Sequence, residues 1–439
     1  MQRLLPLFFT LMLLALQLST AKAENWPQWR GPTFNGATTE TGLPATWSKT
    51  ENVAWSTPLP GASGATPIIF GDKVFLSSAD KPSKDLLALC INRKDGKVLW
   101  QKTVAPSSDR EKGKNNMGSP SPVTDGKVVC FLFGTGDLAA FDFEGTQLWN
   151  RNIQKDHGKF AIMWGYGSSP LLYKGKLYVQ VLQRDKQMYV PGADQSANVD
   201  SYLLAIDPMT GKDLWKHVRP CDAKEETRES YATPIPFEGK DRAEIVLTGG
   251  DCVTGHNPET GDEFWRFGGW NPTKINHWRM VTSVTTGNDM IFASGPKHSA
   301  FFAIKAGGSG DVTSTHQAWT FNKDLAPDVC TPLYYKDMLY VLDGDKKTMT
   351  CLNPKTGETK WQGKLPGLPV YSASPTCGDD KIYCVNEAGE ATVLAVGDAF
   401  KVLGTIPMQD GKCFSSISIS NSHLFIRTYQ NLWCIGTKE

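Results

Sequence analysis

The chain has 439 residues, with 46 Lys and Arg against 45 Asp and Glu and a formal net charge of +1. So even a balance, with no basic stripe along it, leaves no electrostatic footprint for nucleic acid or an anionic membrane surface. The length admits two or three ordinary domains or one long repeat unit.

The first segment reads as a targeting signal. Met1-Gln2-Arg3 precedes an apolar run from Leu4 to Leu18 that ends in Ala21-Lys22-Ala23, the pattern of a secretory leader with a small-residue cleavage site. Residues 1–23 are expected to be a signal peptide cut after Ala23, placing the protein in the periplasm or outside the cell. The run is broken by Pro6 and Gln17 and is short for a bilayer span, and no later stretch is apolar enough to cross one. Residues 24–51 are read as an N-terminal extension and 52–438 as one repeat domain.

From there on the chain repeats itself. The unit is a strand opening with Ser/Thr-Pro, a Gly or Asp turn, a second strand, and then a small residue followed by Asp or Asn, Gly and Trp. It is plain from Thr331-Pro332 to Cys351-Leu352-Asn353-Pro354-Lys355-Thr356-Gly357 and Trp361, and again from Ser169-Pro170 to Ala205-Ile206-Asp207-Pro208-Met209-Thr210-Gly211 and Trp215. The Trp recurs at 55, 100, 149, 215, 265, 319 and 361, and Gly404 holds an eighth equivalent site. Short alternating strands with Gly, Asp and Pro turns at this period predict four-stranded propeller blades with almost no helix.

The two ends of the repeat complement each other. After Gly404 only three strand-like runs remain, 414–420, 424–427 and 432–435, while Asn52-Val53-Ala54-Trp55 is an outer-strand motif with no blade before it. The fold class expected is therefore all-β, an eight-bladed β-propeller of four-stranded antiparallel blades, closed by pairing the N-terminal strand with the C-terminal blade. Closure satisfies two sheet edges that would otherwise invite association. The repeated Trp is expected to pack between blades. Of the ten cysteines, Cys90, Cys351 and Cys434 stand where another blade has Ala205, and Cys130 and Cys384 stand at aliphatic positions, so these five are read as core residues. Cys221, Cys252, Cys330, Cys377 and Cys413 lie nearer loops and are the expected source of any disulfides.

The small-x-Asp-x-x-Thr-Gly-x-x-x-Trp unit at 205–215 and 351–361 resembles the pyrroloquinoline-quinone-like repeat of the quinoprotein alcohol dehydrogenase-like propellers. The opening Trp26-Pro27-Gln28-Trp29-Arg30-Gly31-Pro32 is similar to that of exported BamB-like members. The resemblance implies either a dehydrogenase using pyrroloquinoline quinone with calcium or a non-catalytic scaffold in the cell envelope. No cysteine here neighbours another, so the vicinal disulfide of the dehydrogenases has no counterpart, and there is no C-x-x-C-H haem site. A BamB-like lipid anchor would need a cysteine after the leader, whereas the first cysteine is Cys90. The function expected is an exported, non-catalytic binding or scaffold propeller, a monomer without lipid anchor, transmembrane segment, cofactor or metal, whose partner is a protein or small molecule of the envelope. The alternative is a quinone-dependent alcohol or sugar dehydrogenase.

Gly134-Thr135-Gly136 sits between two strands with no following helix, so it is read as a hairpin turn and not a dinucleotide fingerprint. The seven histidines show no metal-ligand spacing. Long connections at 105–118, 154–167, 183–200, 217–231 and 267–280 all emerge on one face of such a propeller, where binding residues concentrate. On that face Trp164, Tyr166, Arg228, Tyr231, His277, Trp278 and Arg279 stand just before inner strands and are the candidate ligand- or partner-binding residues. No catalytic residue is nominated.

Overall fold

A computed structural model describes residues 24–107, 114–186, 199–321 and 326–437. The proposed leader, 1–23, and parts of two long connections lie outside the described residues. Those that are described form eight antiparallel sheets arranged as an eight-bladed β-propeller. The first blade comprises Ile68–Phe70, Lys73–Asp80, Asp85–Asn92 and Val98–Pro106, and the others repeat this order from inner to outer strand. Among the described residues helix is confined to Ile153–His157 and a 3-10 turn at Glu225–Arg228.

The ring closes as the sequence predicts. Val53–Pro58 is the outer strand of the eighth blade, pairing with Asn431–Ile435 in a register that sets Trp55 against Cys434 and Thr57 against Leu432. Arg427, in the neighbouring strand and buried, stitches the seam to the first blade. It donates to the carbonyls of Ser77 at 2.5 Å and Gly61 at 3.1 Å, and to the Ser78 hydroxyl at 2.8 Å.

The repeat motif explains itself in the register. Each repeated Trp is paired across the sheet with a small residue: Trp100 with Cys90, Trp149 with Ala140, Trp215 with Ala205, Trp319 with Ala303 and Trp361 with Cys351. A larger side chain there would meet the indole, so Cys serves as a small hydrophobe. Where Gly404 replaces the Trp its partner has grown to Val393. The N-terminal extension lies over that glycine: a Cβ on Gly404 would be 2.8 Å from the Ala45 carbonyl, and the adjacent Trp47 is buried and donates to the Met408 sulfur at 3.1 Å.

Most of the indoles also donate to the next blade, although Trp215 Nε1 is buried with no partner among the described residues. Trp100 Nε1 donates to the Phe143 carbonyl at 3.1 Å, Trp149 to Pro208 at 2.9 Å, Trp319 to Pro354 at 2.9 Å and Trp361 to Gly397 at 2.8 Å. The glycine of the following turn lies flat beneath it. At Gly145 and Gly211, with φ of 86° and 71°, an added Cβ would lie 2.8 and 2.6 Å from the indoles of Trp100 and Trp149. Glycine is required twice over, for the left-handed backbone and for the close approach. Trp265 breaks the pattern, donating at 2.6 Å to Glu244 of its own blade. That blade carries a fifth short strand, Gly310–Asp311, parallel to its outer strand.

The Ser/Thr that opens each inner strand builds a second ring around the central channel. The amide of Thr66 donates to the hydroxyl of Ser121 at 2.9 Å, Ser121 to Ser169 at 2.9 Å, Ser169 to Thr233 at 3.2 Å and Thr233 to Ser283 at 2.8 Å. Ser283 then donates to Thr331 at 3.0 Å, Thr331 to Ser374 at 2.9 Å and Ser374 to Ser416 at 3.1 Å. Seven links thus join eight blades, and each satisfies an amide that points along the channel wall, where no strand could reach it.

The ten cysteines are all free thiols. The expectation that loop-side cysteines supply any disulfides is corrected here: Cys252, Cys330, Cys377 and Cys413 are buried, and only Cys221 is half-buried. Cys330 and Cys413 point their sulfurs at backbone carbonyls, Tyr371 at 3.4 Å and Arg427 at 3.1 Å, so they pack as weak donors. Gly134-Thr135-Gly136 is the expected hairpin turn between Val129–Leu132 and Asp137–Phe141.

Candidate functional site

The inner strands surround a channel that the N-terminal extension stoppers. Trp26 pairs with Ile69 of the first inner strand through two 2.8 Å backbone bonds, and the Pro27 carbonyl accepts from Thr124 of the second blade at 2.9 Å. Arg30, fully buried, donates at 3.0 Å to the carbonyls of Pro332, Pro375 and Asn35. Pro332 and Pro375 directly follow ring residues of the sixth and seventh blades, so the guanidinium sits just beneath the hydroxyl ring. Burial pulls its pKa down to about 9. The carbonyl fork compensates the desolvated cation, an arrangement arginine's planar donors suit.

Above this stopper lies a cavity of about 340 Å³, opening on the long-connection face. Trp29, next to Arg30, lines it from the stoppered end, and seven of the eight ring hydroxyl residues form its wall. Trp164, Tyr231, Phe414, Lys114 and Arg279 line it towards the mouth. Lys114 reaches across to the seventh blade, bonding Ser372 Oγ at 3.1 Å and pairing with Glu387. Asn115 beside it donates to the Trp164 carbonyl at 3.2 Å.

Three of the seven candidate residues thus reach the cavity. Trp164, 42 % exposed, donates from Nε1 to Glu226 at 3.1 Å. Tyr231 receives the Trp164 amide at 3.1 Å and donates at 2.5 Å to Glu229, a fully buried carboxylate that also pairs with Arg184. Burial, with Glu229 beside it, pushes the Tyr231 phenol well above its ordinary range. Arg279 is held by Glu226 at 3.8 Å and Asp328 at 3.4 Å.

The other four are placed elsewhere. Tyr166 is a core residue: its hydroxyl donates to the Gln180 carbonyl at 2.7 Å and its ring stacks on Phe160. Arg228 is half-buried in the 3-10 turn, His277 is exposed, and Trp278 is tied by its amide to Thr227 at 2.9 Å; none lines the cavity. Adjacency to an inner strand does not decide which way these side chains point, because they lie in irregular segments before the strands. Sequence reasoning missed Trp29 and Lys114, although Trp29 lies in the N-terminal motif already singled out.

The cavity's chemistry is that of hydroxyls, aromatics and two cations. Among the described residues no Asp, Glu, His or Cys lines it, and no cluster of three or more such groups is placed to hold a metal ion. Calcium takes six to eight oxygens with carboxylates offsetting its charge. The described lining residues do not supply that donor set, so a calcium-held quinone does not fit them.

A family profile described as "Outer membrane protein assembly factor BamB" matches residues 36–188 and 199–435. The chain belongs to this pyrroloquinoline-quinone-like propeller family. It is 25 % identical over 224 residues to a polyvinylalcohol dehydrogenase of a Pseudomonas species, a match covering 51 % of this chain but 31 % of that protein. Among solved structures it superposes on the quinohemoprotein alcohol dehydrogenase of Comamonas testosteroni with a TM-score of 0.69 and 11 % identity, covering 94 % of this chain and 81 % of that one. It superposes on BamB of Moraxella catarrhalis with a TM-score of 0.59 and 12 % identity, covering 88 % and 98 %. At such identities the likeness is one of fold, which many functions share. No helix among the described residues is long and apolar enough to cross a membrane.

Proposed function

We propose that this protein is a binding propeller of the cell envelope, exported by residues 1–23, whose channel mouth holds a small ligand or a segment of a partner and performs no chemistry on it. The observation that carries this reading is the lining itself. The cavity offers aromatic faces and hydroxyls for recognition, yet among the described residues no Asp, Glu, His or Cys lines it to take a proton or attack a substrate. The two remaining titratable groups besides arginine are engaged, Lys114 with Glu387 and Tyr231 with Glu229. Equilibrium dialysis of the protein against an envelope extract, with mass spectrometry of what it retains, should recover a ligand that a Trp164→Ala, Arg279→Gln variant does not retain. Identical profiles for the two proteins refute the site.

A second reading, a quinone-dependent dehydrogenase, draws support from the match to polyvinylalcohol dehydrogenase. Titration with pyrroloquinoline quinone and calcium, followed by dye reduction across alcohols and aldoses, tests it; no turnover is expected, and turnover would replace the binding reading.

A further inference from the structure

Resting on the reading of the channel as a binding site, we infer that its ligand is a small organic anion, held through carboxylate groups by the hydroxyl ring between Lys114 and Arg279. A serine or threonine hydroxyl has one proton to give and two lone pairs. In the ring, seven hydroxyls accept an amide from the preceding blade, and among the described residues none of them donates a hydrogen bond to anything. Six of these line the cavity, so six protons stand ready for an acceptor inside it. Thr66 is the ring's open end: 1 % exposed, it also lines the cavity, and its hydroxyl oxygen has no partner.

The charged groups point the same way. Arg279 Nη1 is buried without a partner on a residue that lines the cavity. The carboxylates that hold the two cations, Glu226 and Asp328 for Arg279 and Glu387 for Lys114, do not themselves line it. They fix the cations from outside, so that among the described lining residues the charged groups are cationic and none is a carboxylate. A neutral sugar would need acceptors as well as donors, and the wall's acceptors are partly spent on amides. Cations of this kind in a partly desolvated pocket form the stronger, charge-assisted bonds.

Calorimetric titration with citrate, its neutral trimethyl ester and inorganic phosphate tests this. Citrate should bind, the ester at least tenfold more weakly, and Arg279→Gln and Lys114→Gln should each weaken citrate at least tenfold. Arg279→Lys, which keeps the charge, should recover most of the affinity, separating charge from packing. Binding of phosphate more tightly than citrate would overturn the assignment to carboxylates. Equal binding of citrate and ester would overturn the anion while leaving the binding site standing. If neither citrate nor phosphate binds, the inference fails outright, and the dialysis described above decides separately whether the cavity binds anything.

Discussion

Trp100 and Gly145 allow a direct measurement of how one blade holds the next. Gly145→Ala has two costs: about 1 kcal/mol for an L-residue at φ 86°, and about 1–3 kcal/mol for forcing a methyl into an indole 2.8 Å away. Trp100→Ala removes a half-buried ring packed on Phe75, Phe131 and Phe141, at a cost of about 3 kcal/mol. In the double variant the methyl has nothing to strike, so the second cost of Gly145→Ala disappears while the first remains. The pair should therefore be less destabilised than the sum of the singles by about 1–3 kcal/mol. Urea unfolding followed by far-UV circular dichroism measures this, with a common slope across the four proteins showing that the same transition is compared. Additivity within about 0.5 kcal/mol would refute the claim that the indole rests on that turn.

Arg427→Met should lower stability by about 2–4 kcal/mol, because the carbonyls of Ser77 and Gly61 lose their donor in a buried seam; an unchanged melting temperature would show that the seam does not need the stitch. Asp251, buried and bonded only by the Asn271 amide at 2.9 and 3.1 Å, has its carboxyl raised to about 6 by burial. Its folded value exceeds its unfolded value, so it opposes folding above pH 6 and this opposition fades as the pH falls towards 4. Asp251→Asn should therefore raise the melting temperature at pH 7 and leave it unchanged at pH 4; a gain equal at both pH values would contradict this. With nine thiols buried, Ellman's reagent should find at most Cys221 reactive in the native protein and all ten in denaturant. Burial raises the pKa values of Cys90, Cys351 and Cys413 to about 12, which keeps them unreactive while the protein is folded; a count below ten in denaturant would reveal disulfides.

The fold was legible because propeller blades share one packing problem and solve it with the same residues. Trp, its small cross-strand partner and the turn glycine recur at fixed spacing, so even the missing Trp at Gly404 and the orphan strand at Trp55 could be placed. The site was legible only in part. Trp164, Tyr231 and Arg279 reach the cavity where long connections end, whereas Tyr166, two residues from Trp164 in a stretch without strand structure, packs in the core, a direction that strand alternation cannot predict. Trp29 was missed because it reaches the cavity from a segment outside the repeat, and Lys114 because nothing within the 105–118 connection marked it out from its neighbours. The hydroxyl ring was visible as Ser/Thr-Pro, but its use could not be read until the blades were closed around it.

That division of labour bears on where specificity can arise. The ring is near-symmetric, with hydroxyls presented by every blade, and a symmetric wall cannot orient an asymmetric ligand. Orientation must come from what breaks the symmetry: the Trp29 indole beside the Arg30 stopper at one end, and Lys114 and Arg279 from two separate connections at the mouth. The charged groups among them are held by residues that do not line the cavity, Arg30 by carbonyls and the two mouth cations by Glu387, Glu226 and Asp328, with Ser372 of the wall also bonding Lys114. Exchanging the mouth residues leaves the indole contacts and the amide-to-hydroxyl links between blades untouched, so a propeller of this kind can change its ligand without altering the repeat. The repeat positions have less freedom, since most of the indoles and seven of the eight ring hydroxyls are bound to a neighbouring blade.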